Sequence, residues 1–145
     1  MAASTPLLSV RRLRTYFAED EKTVRAVDDV SFTLDRGELV ALVGESGSGK
    51  TTTAQTLLRL LEQSGGTVRF KGRDIHTLSG RDLRRLRREM QLIYQDPYES
   101  LDPRYRVRRA VEEPLLIHGI GSGKEERRAL VVAALEKVGL TPPDL

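Results

Sequence analysis

A glycine-rich stretch in the first half of the sequence has residue types and spacings that suit phosphate binding. Gly44, Gly49, Lys50 and Thr51 match the pattern G-x-x-x-x-G-K-[ST]. Because glycine has no Cβ, the backbone can form a tight concave turn whose N–H groups reach phosphate oxygens, and a helix N-terminus adds positive potential. In this pattern Lys50 places a full charge on the β- and γ-phosphates, and the Thr51 hydroxyl binds Mg²⁺.

We predict that the whole loop and the residues directly after it form the phosphate site. These residues are Gly44, Glu45, Ser46, Gly47, Ser48, Gly49, Lys50, Thr51 and Thr52. A continuous apolar run at 39–43 precedes them, and an apolar pattern of helical period follows them at Ala54, Leu57, Leu58 and Leu61. Strand, glycine loop and helix are the setting that the motif requires. In that setting each group binds phosphate or its metal, and none is a nucleophile or a base.

The segments before the loop have the composition of β-strands. A β-prone stretch covers 7–17, and a second at 24–34 alternates apolar and polar residues as a half-buried antiparallel strand does. We therefore expect an antiparallel sheet over about 7–38. The run at 39–43 shows no alternation, which indicates a strand buried on both faces within a parallel sheet.

The remainder alternates short strands with helices. Strands are predicted at 67–71 and 90–94, with a helix between them that begins at the capping box of Ser79 and Asp82. A further helix starts near Val107 and should kink at Pro114. Equal signals for helix and strand indicate an α/β or α+β domain.

The last helix has the clearest boundaries. Ser122 and Glu125 fit a capping box, and Gly139 stands where a helix commonly ends. Its predicted apolar stripe consists of Leu130, Val131, Ala134, Leu135 and Val138.

Composition narrows the class of protein. The chain has 145 residues, no cysteine and 31% charged residues, as in a soluble globular domain, and it has no apolar run near the ~20 residues that span a bilayer. We expect it in the cytoplasm.

Between 81 and 109 lie nine arginines and five acidic residues. Such a cluster can face nucleic acid, anionic lipid or an acidic partner, but a solvated helix face is favoured and no nucleic acid is expected.

Several blocks beyond the loop resemble one family in order and spacing. The chain resembles the ATP-binding subunit of an ABC transporter, in particular the oligopeptide, dipeptide and nickel importer group. The resemblance rests on the blocks at 26–32, 44–52, 93–97, 100–104 and 113–115. It implies an α/β P-loop nucleotide-binding domain with an N-terminal antiparallel β subdomain, here truncated.

The resemblance also implies a domain organisation. Residues 1–145 form the N-terminal part of a single domain. Its antiparallel sheet covers about 7–38 and its P-loop strand and helix cover about 39–62. Residues 63–145 form the glutamine-loop region and the start of a helical subdomain.

The resemblance assigns further roles. Phe17, or Tyr16 as the alternative, stacks on adenine, and Gln95 completes the Mg²⁺ shell and senses the attacking water. The expected cofactors are ATP and Mg²⁺. The expected partners are a membrane subunit, contacted through about 95–105, and a second ATP-binding subunit. The protein would lie peripherally on the inner face of the cell membrane and energise uptake of peptides or related small solutes.

Three elements of the family pattern are missing from the 145 residues: the L-S-G-G-Q signature, the acidic strand end that holds Mg²⁺ and polarises water, and the switch histidine. The Leu78-Ser79-Gly80-Arg81 segment precedes Gln95 and lacks the second glycine of the signature, and His76 and His118 are expected at the surface. A full-length member would be an ATPase, whereas this chain is expected to bind Mg-nucleotide and to hydrolyse it poorly or not at all. The strand at 39–43 is then expected to expose apolar surface.

Other functions remain open on the sequence. The chain could be a stand-alone nucleotide-binding module that never hydrolyses, or another P-loop enzyme such as a kinase or a GTPase. Nucleic-acid binding through the arginines is the weakest alternative.

Overall fold

In the computed structural model, which describes residues 5–20, 22–96 and 102–140, the chain divides into two units, Met1–Leu92 and Ile93–Leu145. The first unit contains strands β1 (Leu8–Glu19), β2 (Lys22–Leu34), β3 (Gly65–Phe70) and β4 (Arg73–Asp74), and helices α1 (Lys50–Leu57) and α2 (Gly80–Arg87). The second contains helices α3 (Val107–His118) and α4 (Lys124–Glu136). None of the helices in the described ranges is long and apolar enough to cross a membrane.

The first unit is built on an antiparallel sheet with strand order β2-β1-β3-β4. Val10 of β1 pairs with Phe32 of β2 on one side and with Val68 of β3 on the other. The sheet predicted over 7–38 is confirmed, as is the strand predicted at 67–71. Because β1 is hydrogen-bonded on both sides, it is the strand on which the rest of this unit is assembled.

A bulge in β1 keeps both halves of the strand facing the core. Leu8 and Val10 are buried before the bulge and Leu13 and Thr15 after it, so the buried positions change from even to odd numbers. The register shifts between Val10 and Leu13, and Arg12 has a left-handed φ of 48°. One extra residue reverses the side-chain alternation of a strand, so both halves bury the same face.

The hydrophobic core lies between this sheet and the segments that follow β4. Ile75 and Leu86 pack there with residues of β1, β2 and β3; the full set is Leu8, Val10, Leu13, Val27, Val68, Phe70, Ile75 and Leu86. Ile75 belongs to a 3-10 turn, and Leu86 belongs to α2. Ser79 caps α2 by accepting a hydrogen bond from the Asp82 amide at 3.4 Å, so that predicted helix start is confirmed.

The strands predicted at 39–43 and 90–94 are not formed, so those predictions are wrong for this structure. Both segments lack strand conformation. Leu39 is 96% exposed, Val43 87% and Ile93 95%, which confirms the expected exposure of apolar surface at 39–43. A parallel strand is stabilised by neighbours on each side, and the sheet that the structure describes contains only β1 to β4.

The predicted pattern of α1 needs a smaller correction. The helix ends at Leu57, earlier than the apolar pattern to Leu61 suggested, and its two buried residues are Thr53 and Thr56. Leu58, just after the helix, is also buried. The polar residues are turned inward because they have hydrogen-bond partners there, as shown below.

In the second unit, α3 and α4 lie against each other, and Arg127 of α4 pairs with Glu112 of α3 at 3.7 Å. Pro114 lies inside α3. Only part of the predicted stripe of α4 is buried, namely Val131 and Leu135, while Leu130 and Val138 are exposed.

The start of α4 differs from the prediction by one residue. Gly123 is the N-cap, and the Ser122 amide and hydroxyl both donate to Glu126 instead of Glu125, at 2.7 and 2.5 Å. This contact lowers the pKa of the Glu126 carboxyl. Gly139, just beyond the helix, has the left-handed φ of 80° that its predicted position requires.

One histidine also departs from expectation. His76 is only partly exposed, its Nε2 is buried without a hydrogen-bond partner in the described part of the chain, and burial lowers the pKa of its imidazole.

Candidate functional site

The glycine loop ends in a backbone conformation that only glycine supports at this place. Gly49 is the N-cap of α1 and has a left-handed φ of 86°. A Cβ built on it would lie 2.1 Å from the carbonyl oxygen of Ala26 in β2. Since real Cβ atoms do not approach oxygen so closely, the absence of a side chain lets the loop and α1 pack directly on the sheet.

The Lys50 ammonium is held by the loop itself. Its Nζ donates to the carbonyl oxygens of Gly44 at 2.8 Å and Glu45 at 2.6 Å, and to the Ser48 hydroxyl at 3.3 Å. All three acceptors are neutral, and Lys50 has no ion pair among the residues that the structure describes. The side chain is therefore positioned, while its charge stays uncompensated and attracts anions.

The start of α1 also contributes backbone amides that have no acceptor in the part of the chain that the structure describes. Within the described ranges, the N–H groups of Gly49, Lys50, Thr51 and Thr52 have no acceptor. A helix leaves its first N–H groups unsatisfied, and they carry the positive end of the helix dipole. The short turn before them is closed by a hydrogen bond from the Ser48 amide to Glu45 O at 3.2 Å. Unpaired donors and an uncompensated ammonium form an anion-binding arrangement.

Two of the four threonines of α1, Thr53 and Thr56, are buried. Thr53 Oγ1 donates to Gly49 O at 2.9 Å, and Thr56 Oγ1 donates to Thr52 O at 2.8 Å. Thr56 Oγ1 also lies 3.0 Å from the buried Thr15 Oγ1 of β1. The contact between Thr15 and Thr56 attaches the helix to the sheet.

Thr51 is exposed, and its hydroxyl has no partner in the described part of the chain. An uncommitted hydroxyl at the start of the helix fits the oxygen ligand that Mg²⁺ requires.

The supporting threonines were not found from the sequence. Thr15, Thr53 and Thr56 were overlooked because the apolar positions of α1 were assigned to its buried face. The spacing of Thr53 and Thr56, three residues apart and therefore on one side of a helix, was the available signal.

The structure distinguishes the two candidate aromatic residues at the end of β1. The Tyr16 hydroxyl donates to Asp28 Oδ1 at 2.5 Å, and the Arg25 guanidinium lies 5.6 Å from the centre of its ring. The hydrogen bond to the Asp28 carboxylate raises the pKa of the Tyr16 phenol. Phe17 is 39% exposed and has no such ring contact among the described residues. Tyr16 is thus engaged at its hydroxyl and on one face of its ring, whereas the Phe17 ring is partly exposed.

Gln95 lies in the second unit, whereas the loop and α1 lie in the first. Its side chain is exposed at a bend. Its role toward Thr51 and Mg²⁺ stays a prediction. Of the predicted membrane-subunit contact at 95–105, residues 97–101 lie outside the described ranges.

Comparison with known proteins decides the family. The family model described as ABC transporter matches residues 27–144. The chain belongs to the ABC transporter family. The matched range includes the phosphate loop and extends well beyond it.

Two ABC transporter relatives are similar over almost the whole chain. A putative peptide import ATP-binding protein of Brucella ovis is 51% identical over 140 residues, which is 97% of this chain and 44% of the relative. The glutathione import ATP-binding protein GsiA of Escherichia coli O6:H1 is 49% identical over 144 residues, which is 94% of this chain and 23% of that protein. The chain therefore spans less than half the length of these relatives.

Solved structures support the fold class of an ABC ATPase with an antiparallel β subdomain. The dimeric ATP-binding cassette MJ0796, in a post-hydrolysis state bound to ADP and Pi, has a TM-score of 0.75 at 24% identity over 95% of this chain and 62% of that one. The cassette cbiO1 of Clostridium perfringens has a TM-score of 0.70 at 25% identity, covering 94% of this chain and 52% of its own.

Proposed function

We propose that residues 44–52 bind the phosphates of Mg-ATP as part of the ATP-binding subunit of an importer. The observation that carries this proposal is the Lys50 ammonium, which is held by three neutral acceptors in a loop whose last residue and first helical turn contribute four backbone amides without an acceptor in the described ranges. A triphosphate supplies the negative charge and the acceptor oxygens that this arrangement lacks.

Thr51 is the proposed protein ligand for Mg²⁺ in the first unit, because its hydroxyl is exposed and uncommitted in the described part of the chain. Gln95 is the second proposed ligand, and this assignment rests on the family pattern. When bound, Mg²⁺ would neutralise part of the phosphate charge. Lys50 adds its own charge to the same phosphates, and the glycine turn lets the backbone approach them closely.

Phe17 is the proposed stacking partner of adenine. Its ring is partly exposed near the end of β1, while the neighbouring Tyr16 ring is engaged by Asp28 and Arg25. Stacking of a base on an aromatic side chain contributes about 1–3 kcal/mol to binding.

The proposed transported class is peptides or related small solutes, because the similar proteins are named for peptide and glutathione import. The proposed partners are a membrane subunit, contacted through about 95–105, and a second ATP-binding subunit. The protein would act in the cytoplasm, peripherally on the inner face of the cell membrane.

ATP hydrolysis is proposed for the complete family protein and not for this chain alone. Hydrolysis requires an oriented water and compensated charge in an in-line geometry. The 145 residues contain neither the acidic strand end nor the L-S-G-G-Q segment to which the family pattern assigns these tasks. We expect Mg-ATP binding with little or no turnover.

Calorimetric titration of the chain with Mg-ATP tests the binding proposal. Lys50→Ala should weaken binding at least tenfold, because a charge-assisted contact to phosphate is lost. Lys124→Ala is the matched control, since it removes an exposed lysine in the second unit, and it should change affinity less than twofold. No binding by the unaltered chain at millimolar Mg-ATP would contradict the proposal, as would equal affinity of the Lys50 variant.

A further inference from the structure

A second charged cavity lies at the start of α3, in the unit that does not contain the phosphate loop. It has a volume of about 490 Å³. Its lining consists of Arg104, Tyr105, Arg106, Arg108, Arg109, Glu112 and Leu116. A volume of this size is in the range of ligand pockets, about 300–1,000 Å³, and exceeds what one small anion would fill.

Ion pairing leaves three of the four arginines uncompensated. Arg104 forms a two-pronged contact with Asp102, with its closest distance at 2.7 Å, and Glu112 is paired with Arg127. Arg106, Arg108 and Arg109 have no acidic partner among the described residues. The cavity therefore has an excess of positive charge, and the N-terminus of α3 adds to it because no acidic residue lies in the first turn.

One of these arginines is already oriented by an aromatic ring. The Arg109 guanidinium lies 4.4 Å from the centre of the Tyr105 ring. A stacked guanidinium loses less side-chain entropy on binding, and its planar N–H groups match a carboxylate in two parallel hydrogen bonds. The cavity also has an apolar part, because Leu116 lines it and is 56% exposed.

We propose that this cavity binds an acidic peptide segment, with carboxylates on Arg106, Arg108 and Arg109 and an apolar side chain against Leu116. Three separate guanidinium groups in a concave site suit several carboxylates along one chain. A bilayer surface is flat and contacts protruding residues, so it does not match a concave site. Single-stranded nucleic acid is held by a series of aromatic rings on which successive bases stack, whereas the lining of this cavity has one ring, Tyr105, and Arg109 already stacks on it. The proposal rests on the cavity alone and is independent of nucleotide binding.

Fluorescence anisotropy with a labelled probe tests the proposal on the full 145-residue chain. The probe is fluorescein-Gly-Glu-Glu-Leu-Glu-Glu-Gly, and the control peptide has glutamine in place of every glutamate. At about 50 mM salt, the acidic peptide should bind at least tenfold more tightly than the control, because the difference is in charge-assisted contacts. Equal binding of both peptides would overturn the proposal.

Two triple variants with the same change in net charge separate a site from general attraction. R106Q/R108Q/R109Q should weaken acidic-peptide binding at least tenfold. R81Q/R84Q/R88Q removes three exposed arginines that form no ion pair in the described part of the chain, and it should change binding less than twofold. Equal losses in the two variants would show non-specific attraction and overturn the proposal.

Circular dichroism shows whether the first triple variant folds. If it does not, a single substitution tests the same site. Arg109→Lys keeps the charge but loses the planar, stacked guanidinium, and it should weaken binding severalfold. Unchanged binding in Arg109→Lys would contradict the assigned geometry. Displacement of the bound peptide by phosphatidylglycerol vesicles or by a single-stranded oligonucleotide at lower concentration than by unlabelled peptide would assign the cavity to that partner and refute an acidic peptide.

Discussion

The two flanks of the phosphate loop are held in opposite ways. On the C-terminal flank, α1 is attached to the sheet by the Thr15–Thr56 contact at 3.0 Å and by the close approach of Gly49 to Ala26. On the N-terminal flank, the apolar run 39–43 lies outside the sheet, with Leu39 96% exposed. A glycine loop and a helix are specified largely by local residues, whereas a buried parallel strand is formed only when neighbouring strands cover it.

The two flanks also differ in how much the burial of their apolar side chains contributes to stability. Fully burying a valine or leucine side chain contributes about 1.5–3 kcal/mol relative to exposure. Leu13 in β1 obtains that contribution, being fully buried, and Leu39 and Val43 do not. The segment 39–43 is thus an apolar surface that favours association, and we expect the chain alone to aggregate.

The largest expected effect compares a buried leucine with an exposed one. Leu13→Ala should lower the free energy of unfolding by about 3–5 kcal/mol, because it leaves a cavity at a fully buried position. Leu39→Ala should change it by less than about 0.5 kcal/mol, since that side chain is almost fully exposed. Urea denaturation followed by circular dichroism measures both. A similar cost for the two substitutions would show that 39–43 is packed.

Two glycines of the loop provide the next comparison. Gly49→Ala should destabilise the chain by about 2–3 kcal/mol, because its φ is 86° and the new Cβ would meet Ala26 O at 2.1 Å. Gly47→Ala has a similar φ of 80° but nothing within 4 Å of its Cβ, so only about 1 kcal/mol of backbone strain is expected. Denaturant midpoints measure the difference. Equal costs would mean that the close approach to β2 does not support the loop.

The smallest effect distinguishes the two kinds of threonine in α1. Thr56→Val removes a buried hydroxyl bonded to Thr15 and should cost about 1 kcal/mol of stability. Thr51→Val alters an exposed hydroxyl and should leave stability within about 0.5 kcal/mol. In the Mg-ATP titration Thr51→Val should have the larger effect of the two, because nucleotide binding should lose its dependence on Mg²⁺. A Mg²⁺ dependence that survives in Thr51→Val would remove Thr51 from the metal site.

Features that depend on nearby residues were predictable from the sequence. The glycine spacing from Gly44 to Thr51 identified the loop, and the capping residue Ser79 identified the start of α2. Their causes, the conformational freedom of glycine and a hydrogen bond three residues away, act within one turn of chain. The predicted role of Gln95 does not depend on nearby residues alone, because Gln95 and the loop belong to different units.

Local sequence patterns predicted the phosphate loop and the antiparallel strands β1 and β2, and they carried the ABC transporter resemblance that the family match confirms. The fold was needed to show that 39–43 forms no strand, that Thr56 attaches α1 to β1, and that Tyr16 is engaged by Asp28 while Phe17 is partly exposed. Burial and hydrogen-bond pairing depend on residues that are distant in sequence. Thr15 and Thr56 are 41 positions apart, and no periodic pattern reports such a contact.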